Sequence, residues 1–246
     1  MTEPTSPRVA LITGGSGGIG RASAERLAAD GMAVAVHYAG NKAKADDAVA
    51  AIAATGGRAI AVGGDVAEEA DMIAAFDAVE AEFGGLDVVV NTAGIMVLGP
   101  LATFALDDLD RMHRTNIRGT FVVSQQAVRR VRPGGAIINF STSVSKLQFP
   151  TYSAYAASKG AVNAMTLILA REMRGKDVTV NAIAPGPTAT DLFLDGKSES
   201  EIDNLKNVSP LERLGLPTDI AESVSFLAGP ARWVNGQILY VNGGAI

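Results

Sequence analysis

Seven short runs rich in β-branched and aliphatic residues recur along the chain, at 9–13, 33–37, 58–62, 86–91, 136–140, 178–184 and 237–241. Most lack the apolar/polar alternation of a sheet with one wet face. Continuous apolar strands need cover on both faces. The stretches between them, about 18–30, 42–55, 67–83, 103–130, 153–174 and 217–228, carry enough apolar positions for helices. Strands and helices alternating at these lengths imply right-handed βαβ units on a parallel sheet. The expected fold class is therefore α/β, a doubly wound parallel sheet of about seven strands with helices on both faces.

No linker, charge block or low-complexity tract divides the 246 residues. The expectation is one domain over 1–246, with residues 1–7 a flexible tail. A chain of this length buries about 70–75% of the surface its unfolded form exposes, so it needs no covalent staples. Cysteine is absent, which removes both disulfides and thiolate metal sites. The two histidines, His37 and His113, lie far apart, so no metal is expected. Lys and Arg number 21 against 26 Asp and Glu, a net charge of −5. That acidic balance argues against a nucleic-acid partner, which would need a basic stripe. No apolar run approaches the ~20 residues of a membrane helix. The first residues, MTEPTSP, have neither the basic region nor the apolar core of a secretory signal. A cytoplasmic protein with no membrane partner is expected.

The first apolar run leads directly into TGGSGGIG, Thr13 to Gly20, and then into a helical stretch. Gly14, Gly18 and Gly20 follow one nucleotide-binding spacing, and Gly15, Gly17 and Gly20 satisfy GxGxxG. Glycines let the backbone turn tightly and approach a pyrophosphate without a Cβ clash. The helix start supplies free N–H groups and a positive dipole end. A strand before and a helix after are the context this motif demands. Gly14, Ser16, Gly18, Ile19 and Gly20 are thus candidate phosphate contacts.

The end of the second run selects the cofactor. A free ribose 2′-hydroxyl usually meets a carboxylate there, which would repel a 2′-phosphate. Here stand His37, Tyr38, Asn41 and Lys42, with no carboxylate before Asp46. This favours NADP, with NAD as the alternative. The competing reading of Lys42 is a solvated residue of the first helical turn.

Tyr155 and Lys159 occur in YAASK on a helical stretch. Four residues advance a helix by about 6 Å, so both side chains share a face. A neighbouring ammonium favours the phenolate and lowers the tyrosine pKa. From a reference near 10, reaching 7 takes roughly 3 units, or about 4 kcal/mol. The pair is a candidate proton-transfer site.

These motifs together resemble the short-chain dehydrogenases/reductases, especially 3-oxoacyl-[acyl-carrier-protein] reductases and glucose-dehydrogenase-like members. The resemblance runs through TGGSGGIG at 13–20, Asp65-Val66, NTAG at 91–94, Asn116, the hydroxyl cluster before YAASK at 155–159, and PGPTAT at 185–190. It implies a Rossmann-type fold. It further implies that Asp65 and Val66 contact the adenine and that the backbone through Asn91, Ala93 and Gly94 packs beside its ribose. Pro185, Gly186 and Thr188 would hold the nicotinamide. Tyr155 would be general acid in reduction and base in oxidation, with Lys159 on the ribose hydroxyls. Asn116 would bind a water linking Lys159 to solvent; the other reading makes it a helix residue satisfying a local backbone group. A homotetramer built on the helices near 103–130 and 153–174 is also implied.

Two positions depart from the family pattern. The catalytic serine usually lies 13 positions before the tyrosine, where this chain has Thr142. A threonine hydroxyl can donate the same hydrogen bond to a developing oxyanion. Thr142 is the first choice, with Ser141 and Ser143 as register alternatives. NADP-dependent relatives often carry Arg where this chain has Gly17. The expected reaction is NADP(H)-dependent reduction of a ketone or 3-oxoacyl-type carbonyl to a secondary alcohol. Oxidation of an alcohol or sugar is the alternative, and a nucleotide-binding sensor or scaffold the non-enzymatic one. The segment 187–216, too long and polar for a plain connection, would close over the small-molecule substrate.

Overall fold

A computed structural model describes residues 7–246. The tail expected over 1–7 thus lies, apart from Pro7, outside the described residues. Seven strands form one parallel sheet: β1 (Val9–Thr13), β2 (Ala33–Tyr38), β3 (Arg58–Gly63), β4 (Leu86–Asn91), β5 (Val131–Phe140), β6 (Thr179–Pro185) and β7 (Ile238–Val241), in the order β3-β2-β1-β4-β5-β6-β7. The order reverses between β1 and β4. In open α/β sheets that switch point opens a crevice at the carboxyl ends of the strands.

Every residue of β1 and β4 is buried, as strands covered on both faces require. Alternate side chains serve opposite layers. Ala10 and Ile12 meet α1 (Gly18–Ala29), α2 (Lys42–Ala54) and α10 (Pro217–Ala228) through Leu27, Ile52 and Leu227. Val9 and Leu11 meet α3 (Glu69–Phe83) and its neighbours through Met72, Phe76 and Val79. Phe76 is wholly buried, which contributes on the order of 2–3 kcal/mol. No helix among the described residues is long and apolar enough to cross a membrane.

The stretch expected as one helix over 103–130 is divided. It runs as α4 (Leu106–Met112), a π-helical segment (His113–Gly119) and α5 (Thr120–Arg130). Hydrophobic periodicity is too coarse to reveal one widened turn. That turn brings Gly119 against Val66: a Cβ on Gly119 would stand 2.7 Å from Val66 Cγ2. Two polar stretches also contain helices. α6 (Val144–Leu147) precedes the long α7 (Ser153–Glu172), and α8 (Asp191–Leu194) and α9 (Glu199–Lys206) lie within 187–216.

Candidate active site

The glycine turn leaves β1 and enters α1 at the sheet's switch point. Gly14 has φ +64°, and a Cβ there would lie 3.1 Å from the Ala93 backbone. A Cβ on Gly20 would collide with the Gly14 carbonyl oxygen, so α1 can start against the turn only without one. Gly17 is exposed, with nothing within 4 Å of where a Cβ would stand. The turn is therefore tight inside and open outside, a shape that accepts a pyrophosphate against the N–H groups of α1. Thr92, the second residue of NTAG, braces it by donating to the Thr13 carbonyl at 2.5 Å. Beneath, Thr13 Oγ1 donates to Asn91 Oδ1 at 2.6 Å, and Asn91 donates to Asn139 at 3.3 Å. The Asn91 side chain thus serves the sheet interior, leaving its backbone for the cleft.

Asp65 accepts hydrogen bonds from the Ala67 N–H at 2.9 Å and from Arg114 at 2.7 Å. Burial opposes ionisation here, but these two donors hold its carboxyl below the ordinary range. Arg114, which no sequence motif marked, projects from the π-helical segment and also pairs with Glu68 at 2.6 Å.

At the end of β2, His37 is only 1% exposed, and neither ring nitrogen has a partner among the described residues. Burial pushes its imidazole down to about 4, overriding the nearby Asp65 and Asp71 carboxylates. A sealed, neutral ring supplies no positive charge for a phosphate. Asn41 caps α2 by accepting from the Lys44 N–H at 3.0 Å. Lys42 is exposed and gripped by both oxygens of Asp46, at 2.7 and 2.8 Å. Tyr38 stays partly buried beside Gly63.

At the other end of the crevice β5 leads into the hydroxyl cluster. Ser143 is committed: its hydroxyl donates to the Ala184 carbonyl at 2.9 Å and accepts from Asn242 at 3.1 Å. Ser141 Oγ is sealed without a partner among the described residues. Thr142 accepts from the Val144 N–H at 3.3 Å and lines the same pocket as Tyr155. Of the three hydroxyls bordering that pocket, Thr142 is the one that acts to lower the Tyr155 phenol pKa.

Lys159 behaves differently from the expectation drawn from YAASK. Its ammonium donates to the Phe140 carbonyl at 2.9 Å, and burial lowers its pKa to about 8. Burial raises Tyr155 to about 12, against the Thr142 hydrogen bond that lowers it. The amine is one turn away, but its nearest acceptor is a strand-end carbonyl, so desolvation of the phenol prevails. Gly94 makes room for this arrangement: a Cβ there would stand 3.3 Å from Lys159 Nζ and 3.2 Å from Asn116 Oδ1.

Asn116 lies in the π-helical turn, fully buried. Its side chain accepts from the Ile95 N–H at 2.9 Å and donates to the Ile95 carbonyl at 2.9 Å and Ser158 at 3.0 Å. It ties the π-helical turn to the backbone of Ile95, 21 residues earlier in the chain. π-Helical turns recur at functional sites; this one clamps the segment carrying Gly94.

Thr142, Tyr155 and Lys159 open onto a cleft of about 820 Å³, counted with its mouth. Ile19, Pro185, Gly186 and Thr188 line it from the cofactor side, and Ile95, Met96, Val144, Leu147, Phe149, Leu192 and Phe193 make most of the remaining wall apolar. No Asp, Glu, Arg or His lines it. Thr188 pairs with Gly215, closing the base of the 187–216 segment, and Thr190 caps α8 above Gly18. No cluster of three or more potential metal ligands occurs among the described residues.

A family model described as enoyl-(acyl carrier protein) reductase matches residues 14–245. A short-chain type dehydrogenase/reductase of Picea abies is 42% identical, covering 97% of this chain and 92% of its own length. An Arabidopsis thaliana protein named NADPH-dependent aldehyde reductase-like, chloroplastic, is 38% identical over 99% of this chain and 96% of its own. A short-chain dehydrogenase from Burkholderia cenocepacia, solved in complex with NADP, superimposes with a TM-score of 0.91 at 40% identity, covering 98% of each chain. The chain belongs to the short-chain dehydrogenase/reductase family, whose members are NAD(P)-dependent oxidoreductases. The 3-oxoacyl and glucose specificities that the sequence suggested go beyond what this membership shows.

Proposed function

We propose that the protein is an NADP(H)-dependent reductase of ketones or aldehydes, 3-oxoacyl-type carbonyls included, acting through Thr142, Tyr155 and Lys159. One observation carries the reading: Thr142 and Tyr155 line the same wall of an apolar cleft that begins at the glycine turn. The turn, open at Gly17 and closed at Gly20, suits a dinucleotide, and the solved Burkholderia relative holds NADP.

Bound NADPH supplies the hydride. Thr142, its lone pair engaged by the Val144 N–H, donates a hydrogen bond to the substrate carbonyl oxygen and polarises it, keeping its proton. Tyr155, fully protonated at neutral pH, delivers a proton to that oxygen as general acid. Lys159, held between Phe140, Gly94 and Asn116, stands where it can engage ribose hydroxyls. Asp65, Val66 and the Asn91–Gly94 backbone would flank the adenosine. Pro185, Gly186 and Thr188 would hold the nicotinamide, and Tyr38, Asn41 and Lys42 would face the 2′-phosphate. The segment 187–216 acts as the substrate loop of one catalytic domain.

The apolar wall disfavours a sugar, whose hydroxyls would be stranded without partners. Exposed Phe121 on α5 and Leu167 and Ile168 on α7 support a homo-oligomer, a tetramer by family resemblance, in the cytoplasm. The test is a panel of aldehydes and ketones with NADPH and NADH, followed by nicotinamide absorbance. NADPH oxidation by uncharged carbonyls is expected, and its absence across the panel overturns the reading.

A further inference from the structure

Tyr152 stands three positions before Tyr155, at the start of α7, and lines the same cleft. The residue is 8% exposed, and its ring leans on Phe149 with centroids 5.8 Å apart and planes at 60°. The other polar side chains of the cleft, outside the reacting pair, are spoken for. Thr92 donates to Thr13, Ser143 to Ala184, Thr188 to Gly186 and Lys159 to Phe140, while Thr190 caps α8. Ser141 is sealed from solvent. The Tyr152 hydroxyl alone is neither sealed nor bonded to any partner among the described residues.

Its position adds to this. A second groove runs between residues 96–98 and the loop helices, reaching Lys197 and Glu201. It shares Met96, Phe149, Tyr152 and Leu192 with the reaction cleft, so Tyr152 marks the junction of the two. A buried phenol with an unused hydroxyl in an apolar wall gives binding energy only to a ligand that brings a matching polar atom.

Building on the reductase reading, we propose that Tyr152 is a specificity residue that hydrogen-bonds a second oxygen of the substrate. The substrate class is an uncharged, largely apolar ketone carrying a hydroxyl or carbonyl remote from the reacting carbonyl and extending toward the outer groove.

The test compares wild type and Tyr152→Phe on a bicyclic aryl ketone and on its isomers bearing one ring hydroxyl, with NADPH. Wild type is expected to show KM about tenfold lower for at least one hydroxylated isomer, the scale of one neutral hydrogen bond. Tyr152→Phe erases that preference by raising KM at unchanged kcat, as loss of uniform binding does. It leaves both constants for the plain ketone within about twofold. A wild type without preference, a preference that survives in the variant, or equal losses on all ketones overturns the assignment. A wild type that reduces none of these ketones and no simple aldehyde overturns the reductase reading itself, and Tyr152's role with it.

Discussion

Lys159 donates its hydrogen bond to the carbonyl of Phe140, at the end of β5, and not to Tyr155 one helical turn earlier. The two residues share a helix face as their spacing requires. Which acceptor the amine meets is set by how α7 lies across β5. Burial keeps Tyr155 a protonated phenol, the form a general acid must have before reduction.

Replacing Tyr155 with Phe removes the proton donor and keeps the ring that lines the cleft. Turnover is expected to fall by at least about 10²–10⁴, the range for a positioned acid. NADPH binding, followed by fluorescence titration, should stay within a few-fold. Wild-type turnover in the variant would reject the assignment.

The hydroxyl register is separable by substitution. Thr142→Ala should lower kcat by roughly 10²–10³, as loss of an oxyanion donor does. Ser143→Ala should instead cost on the order of 1–2 kcal/mol of stability through its bonds to Ala184 and Asn242, with much of kcat retained. Paired kinetic and denaturation measurements distinguish the two, and the reverse pattern moves the register to Ser143.

Lys159 links stability to alkaline pH. Its folded pKa of about 8 lies below the ordinary 10.5, so between these values the unfolded chain holds more protons than the folded one. Stability therefore rises with pH across that window. Below pH 8 burial of the ammonium costs about 3 kcal/mol in full. Lys159→Met removes the titration, so its Tm relative to wild type should be higher at pH 7 than at pH 10. A constant difference across the window would show that the amine is not destabilised by burial.

Two glycines of the turn should respond oppositely. Gly20→Ala places a methyl group into the Gly14 carbonyl and should abolish NADPH binding or lower Tm by several degrees. Gly17→Ala meets no atom within 4 Å and should be stable to within about 1 kcal/mol. Thermal melts with and without NADPH check both.

Lys42→Ala should weaken NADPH binding up to about tenfold, the loss of one charge-assisted contact, and NADH binding little. The Asp46 pair it breaks is exposed and adds little stability, so Tm without cofactor should hardly move. Equal loss for both nucleotides would exclude Lys42 from the 2′-phosphate site.

Much of the molecule could be read from local pattern. Apolar runs announced a sheet covered on both faces, and the glycine turn announced the switch point, because each depends on steric and solvation rules that act within a few residues. The widened turn holding Asn116 was invisible, since one extra residue per turn barely disturbs hydrophobic periodicity. Arg114 was invisible too, since its partner Asp65 lies 49 residues away, and Tyr152, three positions before Tyr155, was passed over because an aromatic at helical spacing reads first as core. The Leu192–Phe193 pair, apolar inside a polar loop, was the available signal for the cleft wall.

The sequence by itself thus determined the order of strands and helices, the place of the glycine turn and the pairing of Tyr155 with Lys159 on one helix face, all properties of short-range geometry. Only the tertiary structure decided that His37 is sealed and neutral, that Lys159 faces Phe140, and that the Ser143 hydroxyl is committed to Ala184 and Asn242. The reason is that hydrogen-bond partners and desolvation depend on groups brought together from distant strands, and a pKa is a property of those surroundings, not of the residue's neighbours in the chain.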